Sequence, residues 1–159
     1  MYNLLLQYSM ENLITVNKRA YHNFEILETK EAGIVLTGPE VKSVKQGQIN
    51  ISNGFVSLDK NLNCWLNNVH ISPYKPAALG PEYDPLKPRK LLLKKKEIKE
   101  LIGKIQVKGL TIIPLKVYSK RNLIKVEIGI AKGKKQKDKR EEIKKREIER
   151  KIQQRLKQF

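Results

Sequence analysis

Four branched apolar residues, Ile124, Val126, Ile128 and Ile130, alternate with Lys125, Glu127 and Gly129 late in this chain. A period of two puts them on one face of a pleated strand, and a slip of one residue would turn that face to water, so the segment is committed to a half-buried strand. The preceding run, Leu110 to Tyr118, sets Ile113, Leu115 and Val117 on one face, and the polar stretch Ser119 to Asn122 between the runs predicts a hairpin. A lone hairpin is marginal in water, so further strands must cover it. The candidates are Tyr21 to Thr29, Gly33 to Leu36, Phe55 to Leu58 and Cys64 to Ile71, with a second hairpin turn over Asp59 to Asn63. Alternation divides Cys64 and Trp65 between core and surface.

Two short helices interrupt this pattern. Thr37 followed by Gly38, Pro39 and Glu40 has the form of a capping box with proline in the first turn, which would face Val41 and Val44 inward. Ile98, Leu101, Ile102 and Ile105 fall at i, i+3, i+4 and i+7 ahead of Gly109, marking one apolar stripe. A mainly β chain of 159 residues with these insertions suits one OB-type antiparallel β-barrel, an architecture that limits exposed sheet edges. The expected organisation is a disordered leader over residues 1–16, a barrel over 17–131 and a basic C-terminal tail over 132–159. The polar stretch that follows Met10 suggests that translation starts there and not at Met1.

Charge narrows the partner. Lys and Arg number 33 against 16 acidic residues, a formal net charge of +17, which favours an anionic partner and nucleic acid above all. From residue 131 onward there are 13 Lys or Arg and 5 acidic residues, so the last fifth carries nearly half of the excess. Its sparse apolar residues cannot offset its ordering entropy, and alone it should be mostly unfolded. Asp138 and Glu141 resemble a capping box that would start a conditional helix at Asp138, hinged at Gly133, with Glu142–Arg146 and Glu147–Lys151 as i,i+4 pairs and Ile148, Ile152, Leu156 and Phe159 on one narrow face. No apolar run approaches the roughly 20 residues of a spanning helix, the start lacks the features of a signal peptide, and one cysteine fits a reducing, cytoplasmic setting. Arg89, Lys90, Lys94, Lys95 and Lys96 crowd the start of the second helix, where like charge opposes the macrodipole unless a phosphate docks. A solvated run of lysines is the alternative. No Walker loop, GxGxxG, HExxH, CxxC or nucleophile elbow is present, so neither an enzyme, a metal nor a cofactor is nominated.

The ordered segments GIVLTGPEVKS, NNVHISPY, DPLKPRKLLL, KGLTIIPLKVY, KVEIGIAKGKK and DKREEIKKRE resemble the SsrA-binding protein family, SmpB, from about Asn17 to the C terminus. The resemblance implies an OB-type barrel that binds the tRNA-like domain of transfer-messenger RNA and delivers it to stalled 70S ribosomes for trans-translation, with no small-molecule substrate and no membrane. It places Asn17, Lys18, Glu40, Lys42, Ser43, Asn68, His70 and Lys90 on or near the RNA face, extended by Lys132, Lys134 and Lys135. It also sends the tail into the vacant decoding centre and mRNA channel against small-subunit rRNA, through Asp138, Lys139, Arg140, Ile143, Lys144 and Arg146. Glu40 stays ambiguous between a helix cap and a group accepting hydrogen bonds from base edges or sugar hydroxyls. Pro39, Lys132 and the pair Arg121–Asn122 depart from the family pattern of Thr, Arg and Asn-Gly, and Lys132 keeps charge while losing bidentate phosphate recognition. Competing classes are a ribosomal structural protein, a non-specific single-strand binder, disfavoured by 6% aromatic content, and a tRNA-modifying enzyme, which lacks a nucleophile.

Overall fold

The structure is a computed structural model that describes residues 11–77 and 82–157. The elements, in chain order, are β1 (Glu11–Val16), α1 (Lys18–Asn23), β2 (Phe24–Ile34), α2 (Gly38–Lys45), β3 (Ile49–Asn50), β4 (Phe55–Leu58), β5 (Cys64–Asn67), β6 (His70–Ile71), a 3-10 turn (Lys75–Ala77), β7 (Arg89–Leu92), α3 (Lys95–Ile105), β8 (Leu110–Lys120), β9 (Leu123–Gly133) and α4 (Gln136–Leu156). Seven strands form one antiparallel sheet in the order β1-β8-β9-β2-β7-β5-β4, and β3 pairs with β6. The sheet coils until β4 lies against β8, yet no ladder joins those two strands. The OB-type expectation holds as a coiled sheet that stays open, with β1 and β4 as edges.

The β8–β9 hairpin forms as the alternation requires, and its two-residue turn holds Arg121 at φ 48° and Asn122 at φ 66°. Positive φ at both central residues matches the twist of the flanking strands. Ile124, Val126, Ile128 and Ile130 all enter the main core. Strand β8 departs from the single face expected for it. A register shift between Pro114 and Lys116 inverts the alternation, so Val117 joins the main core while Ile113 and Leu115 pack into a second cluster with Ala20 and Ala131. Leu115 can approach because residue 129 is glycine, where an added Cβ would lie 2.7 Å from Leu115 Cδ1.

Several expectations are corrected at the elements. Residues 11–16 of the expected leader form β1 along β8, because an edge strand gains its hydrogen bonds from a non-local partner despite exposing Leu13 and Val16; expectations for residues 1–10 concern residues outside those described. Tyr21 to Asn23 end α1 and are not strand, since the Asn17 side chain accepts from Ala20 N–H and starts a helical turn. Arg89 and Lys90 belong to β7, between β5 and β2, and not to the start of α3. The body also runs to Gly133 at the end of β9, two residues past the expected boundary. The α2 capping box is present, with Thr37 Oγ1 accepting from Glu40 N–H at 3.4 Å and Glu40 Oε2 accepting from Thr37 N–H at 3.0 Å.

Helix α4 starts at Gln136, not Asp138. Asp138 is its third residue, and its carboxylate accepts the Lys135 N–H at 3.3 Å, because an acidic group in the first turn answers both the free donors and the macrodipole. The Glu142–Arg146 pair forms at 3.2 Å. Ile143, Ile148, Ile152 and Leu156 are all exposed, so local pairs and not burial hold this helix.

Candidate nucleic-acid interface

Glu40 organises one side of the body. Its carboxylate Oε1 accepts from Arg89 Nη2 at 2.9 Å and Nε at 3.2 Å, and Lys87 Nζ stands 3.3 Å away. Arg89 Nη1 also donates to Val69 O at 2.8 Å and Pro85 O at 3.0 Å, while the Tyr83 hydroxyl donates to Ile71 O at 3.0 Å. Glu40 and Arg89 are each 2% exposed, a burial that only a paired and fully hydrogen-bonded ion pair sustains. Burial would raise the Glu40 pKa, but the Thr37 N–H, Arg89 and Lys87 outweigh it and hold the carboxyl below its ordinary value. The pair ties α2 to β7 and the 83–88 loop, and so fixes where Lys42, Lys87 and Lys90 stand.

Asn17, Glu40 and Ser43 are buried and have internal partners. Asn17 Nδ2 donates to Pro114 O at 2.9 Å and Ile51 O at 3.1 Å, and Ser43 Oγ donates to Ser72 O at 2.6 Å. These side chains position the surface from beneath. The exposed positions form two neighbourhoods. Around α1 stand Lys18, Arg19 and Asn68, with Arg19 Nη1 donating to Asn53 Oδ1 at 3.1 Å and Asn68 Nδ2 to Asn53 O at 3.0 Å. Lys134 joins its far end, donating to Tyr21 O at 3.1 Å and Glu142 at 2.7 Å, with Lys132 and Lys135 exposed beside it. Around α2, Lys42 lies 5.4 Å from the Tyr74 ring centroid, and His70 is exposed where β6 pairs with Asn50 of β3. Lys90 is exposed on β7 opposite Trp65, in a shallow cleft with Thr37 and Lys87.

The phosphate site expected at the start of α3 is not assembled as foreseen. Arg89 is buried elsewhere, and Glu97 Oε2 already accepts the Lys94 N–H at 2.8 Å, which leaves Lys94, Lys95 and Lys96 as exposed cations on a helix end that carries its own carboxylate. In the tail, Asp138, Arg140, Ile143, Lys144 and Arg146 are exposed and Lys139 is half-buried. Sequence reasoning missed the Arg19–Asn53 contact and the Glu40–Arg89 pairing, the latter signalled by Arg89, Leu91 and Leu93 at alternate positions. Cys64 is buried, and burial pushes its thiol up to about 12, which makes it inert near neutral pH.

Among the described residues no cluster of His, Cys, Asp or Glu could hold a metal ion, and no helix is long and apolar enough to cross a membrane. The arrangement defines an open OB-type body with cationic side chains on its surface and an outlying cationic helix. The family model described as SmpB protein matches residues 14–158. The chain belongs to the SmpB family. It is 52% identical over 148 residues to the SsrA-binding protein of Streptococcus mutans, covering 93% of this chain and 94% of that one. It is 50% identical over 145 residues to the SsrA-binding protein of Persephonella marina, covering 91% and 94%. A solved structure described as "tmRNA-SmpB: a journey to the center of the bacterial ribosome" matches with TM-score 0.64 and 44% identity, over 77% of this chain and 85% of that one.

Proposed function

We propose that this protein is a non-catalytic, cytoplasmic RNA-binding adaptor that holds the tRNA-like domain of transfer-messenger RNA and brings it to stalled ribosomes. The body grips the RNA, and α4 occupies the vacant decoding centre and mRNA channel. The observation that carries this reading is the division of the molecule. A packed body presents Lys18, Lys42, Asn68, His70, Lys90 and Lys132 outward, while α4 leaves the end of β9 with its cations and apolar stripe exposed together. A helix built this way gains order from a channel that offers phosphates and some apolar contact. Names carried by relatives about half identical over nearly the whole chain support the same partner. Asp138, Lys139 and Arg140, in the first turns of α4, are assigned to the decoding centre, with Ile143, Lys144 and Arg146 following into the channel.

Sequencing the RNA that co-purifies with the full chain tests the proposal. One dominant species with a tRNA-like end and an internal reading frame is expected. A broad mixture, or ribosomal RNA from every ribosome regardless of stalling, would favour a single-strand binder or a ribosomal structural protein instead.

A further inference from the structure

A cleft of about 320 Å³ lies between α1, the 52–55 segment and β8, and Arg19 on its rim donates to Asn53 Oδ1 at 3.1 Å. Its lining includes Phe24, Phe55, Arg19, Asn23, Asn53 and Gly54, with no acidic residue. Phe55 is 47% exposed although it sits at the start of an edge strand, which leaves an aromatic face open to solvent beside amide side chains. Arg19 makes one hydrogen bond among the described residues, to Asn53 Oδ1, and no ion pair, so most of its five donors remain available. The floor is held rigidly. A Cβ added at Gly54 would lie 2.6 Å from Val69 Cγ2 and 2.8 Å from Pro114 Cγ, so the backbone is pressed onto β8 with no room for a side chain. Asn68, at φ 55°, fixes the same loop by donating to Asn53 O.

We propose that this cleft is a subsite for a single unstacked nucleotide of RNA, its base stacked on Phe55, its edge read by Asn23 or Asn53, and its phosphate held by Arg19. Single-stranded RNA is recognised by splayed bases on aromatic faces with polar groups at the base edge and a cation at the backbone, and those three elements meet here in one cleft. The absence of any lining carboxylate matches a polyanion. An acidic protein segment would answer the charge but would leave the open aromatic face without its flat partner. The inference rests on the RNA-binding reading above and deepens it. The nucleotide could come from the tRNA-like domain or from ribosomal RNA, and both sources are tested.

The test measures affinity of the full chain for two probes, a transcript of the tRNA-like domain and vacant small ribosomal subunits, at several salt concentrations. Phe55→Ala should weaken binding to at least one probe by roughly 5- to 150-fold, the range expected for loss of one base stack, without changing the salt slope. Phe55→Trp should bind as the natural protein does, and Phe55→Leu should lose as much as the alanine variant, because apolar volume without a flat face does not stack. Arg19→Gln should lower the magnitude of the salt slope for the same probe by about one unit. The leucine and tryptophan variants both keep apolar volume, so their contrast decides the question even if the alanine variant folds poorly. Unchanged affinity for both probes in Phe55→Leu overturns the subsite, and so does a leucine variant equal to the tryptophan one; a protein occupant would give the first of these results. Failure of the natural protein to bind either probe would instead overturn the proposed function itself.

Discussion

Replacing Arg89 by Met keeps much of the apolar stem and removes the guanidinium from a site that is 2% exposed. The change leaves the Glu40 carboxylate without the donors at 2.9 and 3.2 Å, and strips Val69 O and Pro85 O of theirs at 2.8 and 3.0 Å. Removing one partner of a buried, hydrogen-bonded pair costs about 3–5 kcal/mol, set against a total stability of roughly 5–15 kcal/mol for a domain. Urea denaturation at pH 7 should therefore show a large fall in midpoint with little change in slope. The double variant Glu40→Gln/Arg89→Met should lose less than the sum of the two single changes, with a coupling of about 0.5–3 kcal/mol, because the orphaned charge is then absent. Acid should narrow the gap. The folded pKa of Glu40 lies below its unfolded value, so its contribution is complete above the unfolded carboxylate pKa of about 4.3 and is lost as pH falls through the folded one. Without Arg89 the depression shrinks, and the variant should lose less than the natural protein between pH 7 and pH 3. A penalty under about 1 kcal/mol, or one that does not shrink in acid, would refute the assignment of Glu40 and Arg89 as a mutually dependent buried pair.

Gly54→Ala should destabilise the body by about 1–3 kcal/mol, read by the same denaturation, because its Cβ meets Val69 Cγ2 at 2.6 Å and Pro114 Cγ at 2.8 Å with little room to relax. Arg121→Asn should raise stability by about 0.5–1 kcal/mol, since φ 48° at this turn position penalises arginine more than asparagine and the exposed arginine makes no hydrogen bond or ion pair among the described residues that would be lost. If the body neutralises about five phosphates of the tRNA-like domain, log affinity should fall against log salt with a slope of roughly −3.5 to −4.5. A flat profile would contradict an electrostatic grip.

What the sequence made legible was set by local pattern. Strand β9 and helix α3 could be read because their burial faces repeat at a fixed period, and α2 and the β8–β9 turn because they carry local signals, whereas the register shift inside β8 left no such mark. Strand β1 could not, since its only argument for being a strand is the ladder it makes with β8, about a hundred residues away. Strand β2 was read as two pieces because Lys30 and Glu31 fall between its apolar stretches; in the fold Lys30 pairs with Glu100, and Glu31 with Tyr118 and Lys120. Arg89 misled for the opposite reason, as a charge that is inside. Of the residues proposed for the RNA face, Lys42, Asn68, His70, Lys90 and Lys132 are exposed. Asn17, Glu40 and Ser43 share motifs with them but are buried. Motif membership does not separate contact from support, and only burial and hydrogen-bond partners do. The Phe55 cleft was out of reach for a related reason, because α1, the 52–55 segment and β8 converge only in three dimensions.

The account depends on body and tail addressing different partners. Its most direct test compares the full chain with a chain ending at Lys135, just before α4, in affinity for the tRNA-like domain and in release of ribosomes stalled without a codon. Affinity for the RNA should stay within about threefold, which corresponds to less than 1 kcal/mol, while release is abolished. Collapse of RNA binding in the shortened chain, or undiminished release by it, would contradict the division of labour.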